Sequence, residues 1–396
     1  MKKVSLIAAA VATTLAAGSA FAVDFNGYMR AGIGISGNGE GDVSFMKNGI
    51  GRLGNENDNY YEFGLSEELE SGEQTWRVES MIAQGNDGAA GWEDGDFNVA
   101  QFAVKAKGVL AFDRDATLWA GKTYYQRKDI HITDFYFLNT SGTGGGIENI
   151  SLGDQKLSVA VLQDGETADS TGYIADVRLA NIKLAQDTSL EVALAYNFAT
   201  EKDDKTQDAD DGLMVTGILH QGLSNGFNQM ILQYGTSGYG KQVAEFGSGA
   251  WYDRGTSTYN DASAFRVINW GVINLGEDWE LGHQLSYHHG MDLVSGEGDS
   301  DLYTAVVRPM YKWDDTMRTV FEGGISAGEV DVPGATKVKQ GGSKFTVAQA
   351  WAMGDSFWAR PEIRVYGSYI TDDEGTTFGD KGDSDFVVGI QAEAWW

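Results

Sequence analysis

From Phe386 to Trp396 the chain alternates. Phe386, Val388, Ile390, Ala392, Ala394 and Trp396 are apolar, while the intervening positions include Gln391, Glu393 and Trp395. Successive side chains of a β-strand point to opposite faces, so such a segment carries one apolar and one mostly polar face. The same split recurs at 190–198, where Leu190, Val192, Leu194, Tyr196 and Phe198 oppose Ser189, Glu191 and Asn197. It recurs again at 25–35, where Phe25, Met29, Ala31, Ile33 and Ile35 oppose Asn26, Tyr28 and Arg30. A soluble sandwich also alternates, with its apolar face turned inward. These segments run to about ten residues, the length a tilted strand needs to cross a bilayer, and aromatics gather at their ends. The pattern predicts an all-β, transmembrane barrel.

The amino-terminal stretch points the same way. Lys2 and Lys3 precede an apolar run from Val4 to about Ala17, and Ala20-Phe21-Ala22 ends it on small residues. That is the layout of a secretory signal peptide over residues 1–22, with cleavage near Ala22 and one barrel domain over 23–396. No later segment approaches the roughly 18 consecutive apolar residues of a membrane helix, and only a closed barrel otherwise satisfies its backbone in lipid. With 53 Gly, 3 Pro and no Cys, the chain has the turn content of many short strands and no disulfide framework.

Acidic residues number 57 against 29 basic ones, for a net charge of -28, which excludes a nucleic-acid partner. Much of the acid lies in runs at 201–211, 297–301 and 372–374, read as solvated loops whose carboxylates are candidates for calcium. Candidate long loops are 200–212, 236–262, 291–301, 328–343 and 370–384. The segment from Lys122 to Gly146 differs: it mixes charge with aromatics before a glycine-rich end at 141–146, and is expected to fold inward and narrow a pore.

Motifs for chemistry fail on context. Gly32-x-Gly34-x-x-Gly37 leads into a turn rather than a helix, and Gly324-x-Ser326-x-Gly328 is followed by Glu329-Val330-Asp331-Val332-Pro333, which opens no helix. Gly235 to Lys241 resembles a phosphate loop, but Gln242 stands where a metal-binding hydroxyl belongs. His288 and His289 are adjacent, and neighbours in a strand face opposite ways. No catalytic residue, metal or cofactor is expected.

What survives is a set of aromatics that parity turns onto the polar, lumen-facing side. Tyr28 shares its face with Arg30, and Tyr60 with Glu62, opposite Tyr61, Phe63 and Leu65. Phe227 falls in register with Gln229 and Gln233. Trp358 shares a face with Arg360, Glu362 and Arg364, opposite Phe357 and Ala359, while Trp395 sits with Glu393 and Gln391. A pyranose ring has apolar C–H faces that lie on aromatic rings and a rim of hydroxyls that charged groups hydrogen-bond, so sugar passage explains such a mixture. Rings that merely fill a small lumen are the bland alternative.

At these residues the chain resembles the maltoporin family. The resemblance rests on the stretch 23–30 (Val-Asp-Phe-Asn-Gly-Tyr-Met-Arg), on 52–56 and on Trp119-Ala120-Gly121-Lys122. It continues through 125–131 to Asp134-Phe135-Tyr136, then through 308–313, 354–361 and the ending Trp395-Trp396. It implies an eighteen-stranded antiparallel transmembrane β-barrel with an inward-folded constriction loop. It also implies a homotrimer in the outer-membrane lipid and facilitated diffusion of maltose and maltodextrins toward a periplasmic maltose-binding protein. The family's aromatic slide falls on Tyr28, Tyr60, Phe227, Trp358 and Trp395, with Trp92 reaching in from a neighbouring subunit. Its polar track falls on Arg30, Arg52, Glu62, Arg127, Asp129 and Asp134, with Tyr136 narrowing the constriction.

The chain departs from the family at Phe97-Asn98, where some members carry a further track arginine, and at Asn139, where an acid is frequent. The early cysteine pair of some members is absent. Retention of Arg127 and Tyr136 makes the resemblance one to the maltodextrin channels rather than to their sucrose-specific relatives, which relax the constriction. The alternatives are a general or cation-preferring porin and, from another class, an exported carbohydrate-binding protein or glycosidase.

Overall fold

A computed structural model describes residues 23–39, 43–56, 58–87, 96–206, 208–252, 254, 259–331, 334, 337–375, 377–378 and 382–396. The expected signal peptide and Trp92 lie outside these residues. The described chain forms an 18-stranded sheet in which every neighbouring pair is antiparallel. It closes because the first strand, Asp24–Ser36, pairs with both the second, Asp58–Ser71, and the last, Ser384–Trp395. Closure leaves no sheet edge, which is how a β-protein meets lipid without unpaired backbone.

The two rims differ. One carries short connections, such as the two-residue turn between Leu152 and Gln155, where Gly153 takes φ 65. Asp24, which opens the first strand, and Trp395, which closes the last, lie on that rim. The other carries the long connections, among them 37–57, 124–141 and 237–262. Short turns face the periplasm and long loops the outside in barrels of this kind. No helix of the described residues is long and apolar enough to span a membrane.

The alternation predicted at 386–396 is realised: Phe386, Val388 and Ile390 are exposed on the outer wall, while Gln391 and Glu393 are buried inside. Likewise Val192, Leu194 and Tyr196 face outward and Asn197 inward. Outward-facing rings gather near the closing seam, where Phe25 stands 5.6 Å from Trp396 and 6.4 Å from Phe63.

The segment 124–141 does fold into the lumen. It contains a small hairpin, Lys128–Ile130 with Phe135–Leu138, around a single 3-10 turn at His131–Thr133. Ile130, Ile132, Phe135, Phe137 and Leu138 are almost fully buried against Ile231, Ile268 and Val306 of the wall. At roughly 1.5–3 kcal/mol for each buried large apolar side chain, these contacts stabilise the docked loop by an amount on the order of 10 kcal/mol. The loop is therefore a fixed part of the wall rather than a flap.

The structure corrects three expectations of extent. The glycine-rich run at 141–146 is not loop; Gly142–Leu152 is a full strand. The connection 236–262 contains a helix, Gly238–Ala244, packed inside the mouth. The strands Met317–Val330 and Val338–Ala352 shorten the connection predicted at 328–343.

Candidate permeation path

The lumen face of the closing seam is built in cross-strand rows. Tyr28 lies opposite Glu62 on one side and Trp395 on the other, and Arg30 lies opposite Tyr60 and Glu393. Facing residues two apart share a face, so parity alone delivers Tyr28, Arg30, Tyr60, Glu62 and Trp395 to one patch. The Tyr28 and Tyr60 ring centroids are 6.1 Å apart, and the Arg30 guanidinium sits 5.3 Å from the Tyr60 centroid. The Tyr60 hydroxyl donates to Glu62 Oε1 at 2.6 Å, and Tyr124 of the inward loop donates to the same oxygen at 2.8 Å.

Charge holds this patch to the loops. Arg30 pairs with Asp58 at 2.5 Å and Asp134 at 3.3 Å, and Lys47 reaches Asp134 at 2.8 Å. Arg52 Nη2 donates to the Tyr28 hydroxyl at 2.8 Å and pairs with Glu56 and Glu393 at 2.9 Å each. Burial opposes ionisation of Glu56, yet Arg52, Arg30 and Lys47 outweigh it and hold the carboxyl well below the usual range. Removing one partner of such a buried pair costs about 3–5 kcal/mol, because the other charge is left without compensation.

The inward loop supplies the constriction. The Arg127 guanidinium lies 3.6 Å from the Tyr124 ring centroid and 4.7 Å from that of Tyr136. Among the described residues it makes no hydrogen bond and no ion pair. Two cavities meet here. One of about 730 Å³, toward the long loops, is lined by Tyr60, Arg127, Asp134 and Tyr136. The other, of about 420 Å³ on the short-turn side, is lined by Arg127, Asp129, His131 and Trp358. Arg127 is the residue common to both linings. Burial raises the Asp129 carboxyl above its ordinary value, against the pull of Arg127.

Below the constriction His131 joins the remaining aromatics. Its ring centroid lies 5.4 Å from Trp358 and 5.6 Å from Trp395, and Arg360 stands 4.5 Å from the Trp395 centroid. Burial pushes the His131 imidazole well below its usual value, against the pull of Glu393, so the ring is neutral. Phe227 stands apart from these: it packs edge-on to Trp270 at 5.0 Å and stacks on His220 at 5.9 Å. Trp270 and His220 line the lower cavity with Trp358.

Trp358 reaches the lumen by a route different from the one the alternation suggests. The strand that carries Arg364 begins at Glu362, so 353–361 is a turn rather than strand. Within that turn Phe357 also points inward, buried against His131 and Trp358. The expected opposition of Phe357 and Trp358 is therefore absent.

Other participants escaped the reading of the sequence. Glu56 and Tyr124 sit in loops, and Lys47 opens the short helix Lys47–Ile50, where strand parity says nothing. Glu322 fixes the first loop to the wall: its Oε1 accepts from the Leu53 N–H at 2.9 Å and from Lys344 Nζ, and its Oε2 accepts from Arg308 Nε at 2.5 Å. Arg308 in turn donates to the Ile132 carbonyl at 3.1 Å. Gly51 is required beside it, since it has φ 97 and an added Cβ would lie 2.3 Å from Glu322 Oε1. A charged residue amid strand residues at 317–330 was the available signal.

Comparison with known proteins agrees with this architecture. The family model described as LamB porin matches residues 23–396. A maltoporin of Vibrio cholerae serotype O1 is 68% identical over 413 residues, covering 100% of this chain and 100% of that relative. One from Photobacterium profundum is 43% identical over 419 residues, covering 98% of each. Among solved structures, OpdQ of Pseudomonas aeruginosa superimposes with a TM-score of 0.52 at 9% identity, covering 95% of this chain and 99% of that one, a likeness of fold alone.

Proposed function

The chain belongs to the LamB porin family of outer-membrane channels, which are not enzymes, and from that premise we propose that it conducts maltose and maltodextrins by facilitated diffusion. The observation that carries the sugar reading is Arg127. An arginine held between two rings, with no carboxylate on it among the described residues, keeps its five N–H donors for whatever passes the narrowest point.

On this reading a glucan chain slides with its C–H faces on Tyr28 and Tyr60, then on Trp358 and Trp395, and on Phe227, which packs on Trp270 and His220 of the lower cavity. Its hydroxyls exchange water for Arg30, Arg52, Glu62, Arg127, Asp129 and Asp134 in steps, and Tyr136 sets the width. Contacts must be favourable enough to admit the sugar and weak enough to release it. Pairing of Arg30 with Glu56 and Asp58, and of Arg52 with the buried Glu56 and Glu393, supports the second condition, because their charge is already partly satisfied.

The working unit on this reading is a homotrimer in outer-membrane lipid, with Trp92 of each neighbour at the entrance and a signal peptide removed near Ala22. Exposed rings at the seam, Phe25, Phe63 and Trp396, supply apolar surface suited to a neighbour or to lipid. Sugar leaving at the short-turn rim is taken up by a periplasmic binding protein.

The test is conductance of the purified protein in a planar bilayer. Maltotriose and longer α-1,4-glucans at millimolar concentration should block the ion current reversibly, and sucrose should block it less. A current indifferent to all of them would leave an ordinary, charge-selective porin.

A further inference from the structure

Trp251 lies in the long connection 237–262 with 80% of its surface exposed. Most other exposed apolar side chains sit on outward strand faces, where lipid accounts for them. Trp251 instead lines the cavity of about 730 Å³ that holds Tyr60, Arg127 and Tyr136, and it also borders a second cavity of about 460 Å³ at the mouth. Lipid does not reach that position.

The backbone that carries the ring is also held in place. Trp251 has φ 57, a left-handed conformation uncommon for a bulky residue and sustained only when the surroundings impose it. Asp164 imposes it here: its Oδ1 accepts the Trp251 N–H at 2.6 Å and its Oδ2 accepts the Tyr252 N–H at 2.9 Å. Gln242 donates to the Ala250 carbonyl at 2.9 Å and to the Trp251 carbonyl at 3.3 Å, and accepts from the Gly249 N–H at 2.7 Å. Five backbone hydrogen bonds and a strained dihedral thus present an indole to water. Gln163 and Ser248 line the same cavity and place amide and hydroxyl groups within the chamber.

We propose that Trp251 is a docking platform at the extracellular mouth, receiving the leading pyranose ring of an α-1,4-glucan before it reaches Tyr60. The inference rests on the sugar-channel reading above and adds to it a contact from the 237–262 loop. Stacking on an indole suits a ring of apolar C–H faces, and a backbone already fixed beneath it lowers the ordering cost of capture. A platform outside the constriction acts on entry from one side only.

The test is current-noise analysis of maltohexaose block for wild type, Trp251→Ala and Trp251→Phe, with sugar added to either side of an oriented channel. The Ala variant should lose roughly three- to tenfold in association rate from the long-loop side and nothing from the short-turn side, and the Phe variant should keep most of the rate. Heat-modifiable migration of each variant on a gel checks that the barrel has formed. Equal losses from both sides, or no loss from the long-loop side, would overturn the platform while leaving the sugar channel intact. Wild type unblocked from either side would instead overturn the sugar channel itself.

Discussion

The backbone N–H of Arg52 donates to the carbonyl of Ile132 at 3.1 Å, so the first long loop and the inward loop form one hydrogen-bonded unit. The same carbonyl accepts from Arg308, which Glu322 holds. Position of the constriction therefore depends on a strand residue that touches no part of the path.

Glu322→Gln keeps an acceptor for the Leu53 N–H but leaves Lys344 and Arg308 without their carboxylate. Loss of a buried pairing partner costs about 3–5 kcal/mol. The gel-shift midpoint on heating should fall, and single-channel current should become noisier as the loops loosen. An unchanged midpoint with quiet current would show that the loops are held otherwise.

Arg127→Ala should raise conductance, since the side chain common to both cavities is cut back, and lower maltohexaose affinity about tenfold, equal to about 1.4 kcal/mol. Arg127→Lys keeps the charge but loses the stacking on Tyr124 and Tyr136, and should fall between. Titration of sugar block measures both.

Tyr28→Phe and Tyr28→Ala separate ring from hydroxyl. The hydroxyl sits between Arg52 and Glu393, which pair directly with each other, so its removal should cost about 1 kcal/mol of stability and little sugar affinity. The Ala variant should lose affinity several-fold, roughly the 0.5–1.5 kcal/mol of a ring contact. Equal behaviour of the two variants would assign sugar contact to the hydroxyl instead.

Acid should act on selectivity in a set order. Burial raises the Asp129 carboxyl above its ordinary 3.8, whereas Glu56, buried but ringed by Arg52, Arg30 and Lys47, is held far below 4.5. As pH falls, Asp129 loses its charge first and Glu56 keeps its own. Cation preference, read as reversal potential across a salt gradient, should therefore begin to drop at a pH above the ordinary aspartate value, and Asp129→Asn should abolish that early drop. For stability the sign at Glu56 is the usual carboxylate one: its contribution is present above about 4.5 and is lost as pH falls toward the depressed folded value.

The seam patch was legible because a strand gives parity without further information. Tyr28, Arg30, Tyr60, Glu62 and Trp395 all follow from counting by twos. Counting fails where another layer covers the inner wall: Ile231, Ile268 and Val306 face the lumen yet are apolar, because the inward loop packs on them. It also fails in loops. Trp358 was correctly turned inward through a strand that is in fact a turn, and Phe357 beside it was turned outward and is not. Glu322 and Leu53 are 269 residues apart, a pairing that no local pattern announces.

The first and last strands carry between them Tyr28, Arg30, Glu393 and Trp395, in register across the closing seam. Finishing the cylinder and finishing the lumen surface are thus one event. The first and last strands must find each other before the rows that join Tyr28 to Trp395 and Arg30 to Glu393 exist.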